Sequence, residues 1–162
     1  MQSVCSPDCA FNLVFVLKLK KDKAEHKVKV AAAKSKSKWL AETQAIANHY
    51  ARVRDSNDGC ISCDKLSDWH GQWHGSHFRS VGAASAVRFN LWNIHKSCSV
   101  CNNYLSGNIG AYTPRIIGKI GQEKVDWLYT QNKVTSYSVD YLKKYKHVIG
   151  KRLRRMIKSR NN

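Results

Sequence analysis

Two pairs of cysteines constrain the fold of this chain of 162 residues more than any other feature of its sequence. Each pair has the spacing Cys-x-x-Cys, first at Cys60 and Cys63 and again at Cys98 and Cys101. Four thiolates from two such pairs form a closed tetrahedral zinc site, and a structural zinc contributes folding free energy directly. We therefore predict that one Zn²⁺ joins these two distant segments, the alternative being free buried cysteines.

A third pair, Cys5 and Cys9, resembles half of a zinc knuckle, and a proline and an aspartate form the turn between the two cysteines. A structural zinc site needs four ligands, and no second half is evident nearby. Metal binding and no binding are both open for this pair, and we favour no binding.

Charge is concentrated towards the two ends of the chain. Residues 18–38 hold nine lysines against two acids, and residues 141–162 hold nine basic residues and no acid, so together they carry +16 of the net +17. Such arms most often contact nucleic acid, and an anionic membrane is the alternative. We divide the chain into a basic N-terminal arm (1–38), a core (39–134) and a basic C-terminal helix (135–162).

The one strongly apolar run, residues 10–19, contains an asparagine and a lysine and is shorter than the roughly 20 apolar residues that span a bilayer. No positively charged leader precedes it, which disfavours a signal peptide. We expect a cytoplasmic protein with no membrane partner.

Helical periodicity is clear in four stretches. Apolar side chains recur at helical spacing over residues 39–53, 109–120, 123–131 and 139–156, and Ser138 is a suitable N-cap for the last of these. The last helix has an apolar stripe for packing, which could serve a homodimer, and an opposite basic face that includes Lys151, Arg154 and Arg155. Residues 18–38 could form an exposed helix or a disordered linker.

Between the cysteine pairs the pattern changes from helix to strand. Residues 77–81 alternate and predict a strand, residues 86–89 predict a return strand, and residues 99–106 predict a short helix ended by Gly107. The result is a ββα unit with cysteine pairs at its edges, inside a mainly helical α+β protein.

A zinc ion bound by four cysteines has no open position and cannot activate water, so catalysis would need a second site. A neutral imidazole can take a proton from water, and a divalent ion can neutralise charge on a phosphodiester. Asparagine oxygens suit a hard cation. The candidates for this second site are His77, Asn93, His95 and Asn102.

These residues resemble a known group of enzymes. A histidine, then an asparagine five residues before Cys98, then Cys-x-x-Cys followed at once by asparagine, resembles the zinc-bound HNH endonucleases. More closely, the chain is similar to the lambdoid-phage NinG family, also called Rap. The similarity rests on residues 60–63, 76–84, 88–90, 93–96, 98–102 and 106–108, and extends to 120–123 and 5–9.

The resemblance implies a zinc-bound ββα core of the HNH, or His-Me finger, type with basic flanking helices. It implies a metal-dependent endonuclease of phage recombination, acting in the host cytoplasm on branched DNA such as Holliday junctions and D-loops, with other recombination proteins as further partners. His77 would be the general base, Asn93 would position it, and Asn102 would be the last metal-binding position. Zn²⁺ would be structural, and Mg²⁺ or Mn²⁺ catalytic.

Two positions depart from the resemblance. An acidic metal ligand is expected either directly before the histidine, where this chain has Ser76, or three residues before it, where it has His74. His74 and His95 are therefore further candidate ligands of the catalytic ion. The departures also motivate an alternative function, a zinc-stabilised protein that binds branched DNA without cleaving it. A weaker alternative is a basic protein that binds RNA or anionic membrane.

Basic residues near the predicted site are candidates for holding the cleaved strand, although a solvated surface charge explains each of them equally well. These residues are Arg79, Arg88 and Lys96.

Overall fold

The computed structural model describes residues 5–160, which form a mainly helical α+β protein with one small sheet, as predicted. The helices are α1 (Pro7–Ala32), α2 (Lys36–Arg54), α3 (Ile109–Ile120), α4 (Gln122–Thr130) and α5 (Val139–Arg160). The strands are β1 (Trp73–His77) and β2 (Ile94–Cys98), and two short helical turns, one 3-10 and one π, cover Ser85–Val87 and Val100–Tyr104.

The chain divides into two compact units, one ending at Lys38 and the other beginning at Trp39. In the first unit, α1 confirms the helical alternative for residues 18–32, and its apolar side chains, such as Phe11 and Phe15, are exposed. Over residues 5–160, no helix combines the length and the apolar character needed to cross a membrane.

In the second unit, α2 and α5 pack through small side chains. Ala47 and Ala51 of α2 are fully buried, and the Thr43 hydroxyl donates a hydrogen bond of 3.5 Å to the Leu142 carbonyl of α5. A Cβ on Gly150 would lie 3.1 Å from an α2 isoleucine, so this glycine permits close approach of the helices. The helical pattern predicted over residues 39–53 is confirmed, with the helix starting three residues earlier.

β1 and β2 form an antiparallel hairpin in which Trp73 pairs with Cys98 and His77 pairs with Ile94. The strands predicted at 77–81 and 86–89 are wrong, because the first strand ends at His77 and the second region contains the 3-10 turn. The alternation after His77 belongs to a loop whose backbone bonds to the Asn93 side chain instead of to a neighbouring strand. The glycine- and histidine-rich β1 has no strand-like composition.

A hydrophobic core lies between this loop and helices α3 and α4. It is formed by Phe78, Ala84, Val87, Tyr112, Ile116, Val125 and Leu128. The prediction for α3 is confirmed at both ends, and α4 is displaced by one residue from its predicted bounds. The helix predicted at 99–106 is a shorter π-helical turn.

A buried carboxylate fixes the end of α2 to β2 and α3. Asp55 lies 2.7 Å from the Arg54 guanidinium and 2.9 Å from the Lys119 ammonium, and it accepts a hydrogen bond of 3.1 Å from the Lys96 backbone N–H. Burial alone would raise the pKa of Asp55, but the hydrogen bonds and charges of Arg54 and Lys119 lower it to about 2. The ion pairs therefore stabilise the fold fully above about pH 4, and the stabilisation falls as pH drops towards the folded pKa.

We expect Asp55→Asn to lower stability by about 3 kcal/mol, because it leaves two cations beside a neutral buried group. In a domain of this size the loss lowers Tm by roughly 6–12 °C, measurable by thermal unfolding at pH 7. Asp140→Asn is the control, because Asp140 is 85% exposed and pairs only loosely with Lys143 at 3.8 Å. Equal Tm values for the two variants would contradict the structural role of Asp55.

Candidate metal centre and histidine site

The four cysteines of the two Cys-x-x-Cys pairs converge at one end of the hairpin. Their sulfur atoms all lie within 4.8 Å of one another, and Cys63 Sγ is 3.8 Å from Cys98 Sγ. A tetrahedron with Zn–S bonds of ~2.3 Å has edges of about 3.8 Å, so the sulfur spacing fits a zinc ion. The prediction that these cysteines could hold a metal such as zinc is confirmed.

Backbone N–H groups favour the thiolate form of Cys60, whereas burial raises the pKa of Cys63 and of Cys101. Cys60 Sγ accepts hydrogen bonds of 3.2 Å from the Cys98 N–H and 3.4 Å from the Ser62 N–H. Burial raises the pKa of Cys60, but the hydrogen bonds from Ser97, Cys98 and Ser62 outweigh it and bring the pKa to about 7. Thiolates are the metal-binding form of cysteine, so the surroundings as well as the spacing fit a cation.

Cys5 and Cys9, in the first unit, are both exposed, with their sulfur atoms 3.0 Å apart. Among residues 5–160, no histidine, carboxylate or further cysteine joins them in a group of three ligands. The interpretation that they bind no metal stays a prediction.

His77 lies at the end of β1, and its ring is half-buried. Nε2 is 3.0 Å from the Arg88 carbonyl oxygen. The Gln44 amide nitrogen, a donor, lies 3.3 Å from the same atom, but the shorter contact is to the carbonyl, which only accepts. The shorter contact favours the tautomer with the proton on Nε2, which leaves Nδ1 as the basic atom of the ring. Burial lowers the pKa of His77, the Arg88 carbonyl opposes this, and the Arg88 charge lowers it further. The net shift keeps the imidazole neutral, with a free lone pair, at neutral pH.

Asn93 is fully buried directly before β2 and holds the loop that follows His77. Its Oδ1 accepts a hydrogen bond of 2.7 Å from the Arg79 N–H, and its Nδ2 donates to the carbonyls of Arg79 (3.0 Å) and Val87 (3.2 Å). Asn93 therefore binds both arms of the loop. The geometry agrees with a positioning role, which stays a prediction.

His77 and Asn102 line one cavity of about 290 Å³, the histidine cavity, together with Ser76, Ser80, Val81, Ser106 and Gly107. Asn102 also lines a second cavity of about 320 Å³ with His74, and its Nδ2 is 3.1 Å from His74 Nδ1. The structure thus brings three of the predicted residues together. Binding of a divalent cation by His74 and Asn102 stays a prediction.

His95 is a residue of β2, and its side chain is buried. Its Nδ1 is 3.1 Å from the Tyr112 hydroxyl, and that hydroxyl donates to the Ser76 carbonyl at 3.2 Å. Burial and, next, the charge of Arg54 lower the pKa of His95 to about 3. His95 lines neither of the two cavities, so the structure does not join it to His77 and Asn102.

The three predicted DNA-binding cations near the site all have partners inside the protein, and Arg88 is described below with its partner. The Arg79 guanidinium donates to the carbonyls of Leu128 (3.3 Å) and Tyr129 (3.0 Å) at the end of α4. The Lys96 ammonium donates to the Asp58 carbonyl at 2.6 Å and lies 4.1 Å above the Trp73 ring centroid. Their geometry fits structural bonds, whereas the predicted DNA-binding residues of α5 are exposed, namely Lys151, Arg154 and Arg155.

The Arg88 carbonyl, which orients His77, belongs to residues 85–89. These residues accept hydrogen bonds from two tyrosines, one in α5 and one just before it. The Tyr145 hydroxyl donates to the Phe89 carbonyl at 2.6 Å, and the Tyr137 hydroxyl donates to the Ser85 carbonyl at 2.8 Å. Arg88, the third predicted DNA-binding cation near the site, donates from Nε to Gln44 Oε1 at 3.0 Å. Sequence reasoning missed these tyrosines, although their spacing of i, i+4 and i+8 places residues 137, 141 and 145 on one face.

We expect Tyr145→Phe to release the segment that carries the Arg88 carbonyl. The fraction of His77 with its proton on Nε2 then falls, which ¹⁵N NMR of the imidazole ring measures. Tyr141→Phe is the matched control, because Tyr141 stacks in the same row and its hydroxyl has no hydrogen bond within residues 5–160. An unchanged His77 spectrum in Tyr145→Phe would refute the link between α5 and His77.

We expect Cys98→Ser to abolish binding of the single zinc ion and to lower Tm, because three thiolates leave the tetrahedral site open. Elemental analysis of the purified protein together with thermal unfolding measures both effects. Cys9→Ser lies outside the cluster and should change neither quantity. Full zinc occupancy in Cys98→Ser would disprove the assignment of this ligand.

Comparison with known proteins identifies the family of this chain. A family model described as "Bacteriophage Lambda NinG protein" matches residues 1–159. The chain is 32% identical to Protein ninG of Escherichia phage lambda, over 97% of this chain and 85% of the relative. It is 31% identical to Protein ninG of Salmonella phage P22, with the same coverage, and 35% identical to that of Escherichia phage 933W, over 83% and 66%. No solved structure matches. By these matches the chain belongs to the NinG protein family of lambdoid phages.

Proposed function

We propose that this protein is a metal-dependent endonuclease that hydrolyses phosphodiesters in branched DNA, such as Holliday junctions and D-loops, during phage recombination in the host cytoplasm. One observation carries the proposal: His77 Nε2 lies 3.0 Å from the Arg88 carbonyl, which favours the proton on Nε2, and His77 lines a cavity shared with Asn102. A neutral histidine with a free Nδ1 is suited to general-base chemistry.

The order of elements supports an HNH-like site. A histidine ends the first strand, an asparagine directly precedes the second, and the following helical turn carries Asn102 next to the metal-binding Cys101. This is the order that the ββα resemblance implies. Because Trp73 pairs with Cys98, the cysteine cluster closes one end of the hairpin and the histidine cavity lies near the other.

The proposed reaction uses His77 as the base. Nδ1 takes a proton from a water molecule, the water oxygen forms a bond to phosphorus, and the bond from phosphorus to the leaving oxygen breaks. The leaving oxygen is protonated from solvent. Mg²⁺ or Mn²⁺, bound by Asn102 and His74, would supply positive charge beside the phosphodiester. Asn93 acts only through the loop that it holds.

The charge distribution supports DNA as the substrate class. The net charge is +17, and α5 presents exposed arginines and lysines while its apolar stripe is buried in the second unit. Such a surface binds phosphates with a strong salt dependence. Branch selectivity and other recombination proteins are parts of the proposal that rest on the resemblance. The homodimer rests on the apolar stripe of α5, of which Leu142, Ile149 and Leu153 are already buried within the chain.

A second candidate function is binding of branched DNA without cleavage. Among the residues lining the two cavities beside Asn102 there is no carboxylate, although hard divalent cations prefer carboxylate ligands. His74 and Ser76 occupy the positions where the resemblance expects an acid. A site without an acidic ligand would bind Mg²⁺ weakly, and the protein would then bind branched DNA without cleaving it.

We expect His77→Ala to lower the rate of junction cleavage at least ~100-fold while the zinc content is unchanged and the protein still folds, because it removes the base but no zinc ligand. The assay uses a labelled four-way junction and a linear duplex with Mg²⁺, with Mn²⁺ and with EDTA. His70→Ala, an exposed loop position, is the control.

Cleavage by His77→Ala at the wild-type rate would rule out His77 as the base. Junction binding by the wild-type protein without a cut strand under either ion would favour the second candidate function.

A further inference from the structure

Three cavities beside β1 share lining residues and are together called the groove. The histidine cavity shares Asn102 with the second cavity of about 320 Å³, which is also lined by Arg52 and Trp73. Arg52 and Trp73 in turn line a third cavity of about 360 Å³. Shared walls therefore connect His77 at one end of this groove to Arg52 further along it.

One face of α2 carries a polar stripe of Gln44, Asn48 and Arg52, spaced i, i+4 and i+8, and the last two of these line the second cavity. Helix and strand approach closely at Gly75, where a Cβ would lie only 2.7 Å from Asn48 Cα. Gln44 Nε2 donates to Asn48 Oδ1 at 2.8 Å and lies 3.3 Å from His77 Nε2. The stripe therefore runs alongside β1, with Gln44 at the His77 end and Arg52 at the Trp73 end.

Arg52 differs from the other arginines of the core. It is half-buried, yet within residues 5–160 it makes no hydrogen bond and no ion pair. Arg54, two residues further on, donates to the Asp55 carboxylate and to the Leu91 and Ile94 carbonyls. Partial burial of an unpaired charge is unfavourable, and burial lowers the pKa of Arg52 with no carboxylate to offset it. A guanidinium in this state is complementary to an anion, and its planar fork suits phosphate.

The third cavity is lined by cationic groups and by no carboxylate of the described chain. Its lining includes Arg52, Lys96 and Arg160, together with His49. Lys96 already bonds to backbone carbonyls, and Arg160 bonds to the Ser56 hydroxyl, so Arg52 is the cation in this set without an internal partner in residues 5–160. The local charge favours a polyanion that continues along the groove over a neutral ligand.

We propose that Arg52 binds a backbone phosphate of the DNA strand that is cleaved beside His77, so that the strand runs along the groove past Asn102. This proposal rests on the proposed nuclease function and adds a binding residue to it. Eight helical residues from Gln44 to Arg52 span about 12 Å, the axial rise of roughly three or four nucleotides in one strand of a duplex. Arg52 therefore contacts a phosphate within that distance of the cleaved bond.

The test measures DNA binding instead of cleavage. In the His77→Ala background, without added Mg²⁺ or Mn²⁺, the affinity for a four-way junction and for a single strand of the same sequence is measured as a function of KCl concentration. Arg52→Ala should weaken binding about tenfold at low salt and reduce the slope of log K against log salt by roughly one, as loss of one phosphate contact requires. Arg52→Lys should keep the slope, because the charge remains, with an intermediate affinity.

Lys133→Ala is the matched control, because it removes one exposed positive charge that lines none of the three cavities. Thermal unfolding verifies that each variant folds. Affinity and salt slope in Arg52→Ala equal to those of Lys133→Ala would overturn the proposal. If the wild-type protein never cleaves DNA but Arg52→Ala still loses one unit of slope, the nuclease proposal fails and the phosphate site stands. If cleavage occurs and the slope does not change, the phosphate site alone fails.

Discussion

The attachment of a weak hairpin to the cysteine cluster is the constraint on which the rest of the site depends. An isolated two-stranded hairpin is marginally stable in water, and β1 contributes a Trp-His-Gly-Ser-His sequence with little strand propensity. The cluster compensates, because Cys98 ends β2 and the Ile61 N–H donates to the Lys96 carbonyl at 3.0 Å, which ties the first cysteine pair to the strand. Metal binding by these thiols would thus stabilise the strand that carries His77.

The orientation of His77 depends on backbone carbonyls and not on an acidic partner. The Arg88 carbonyl favours the ring proton on Nε2 without adding negative charge, so burial and the Arg88 cation keep the pKa of His77 low. A carboxylate in its place would raise the pKa and favour the protonated ring at neutral pH. Tyr145 of α5 and Tyr137, two residues before α5 begins, hold the same segment, so the helix with the exposed basic face also supports the loop that orients the histidine.

Sequence patterns predicted the parts of this structure that local physics determines. The bounds of α3, the apolar stripe of α5 and the convergence of two cysteine pairs follow from periodicity and ligand spacing. The strands were misplaced by several residues, because residues 77–81 alternate between apolar and polar side chains as a strand does. The observed strand β1 depends instead on its pairing with β2 and on its contact with α2, and the amino-acid composition reveals neither. The side-chain partners of Asn93 and His95 come from segments distant in sequence, so spacing alone could not separate a loop support from a buried core residue.

Counting positive charges does not locate a DNA-binding face, because the cations of this protein divide into two physical classes. Arg54, Arg79 and Lys119 have acceptors inside the fold, and an incoming phosphate would have to replace carboxylate or carbonyl bonds that already exist. Arg52 and the exposed Lys151, Arg154 and Arg155 of α5 have no such internal acceptor within the described chain. A half-buried unpaired cation indicates an anion-binding position better than an exposed one does. Its position is fixed by packing, and no protein acceptor replaces the water that it lost on burial. Under the proposed function, the unpaired Arg52 in the groove, and not the high net charge, therefore indicates where a DNA strand would enter the site.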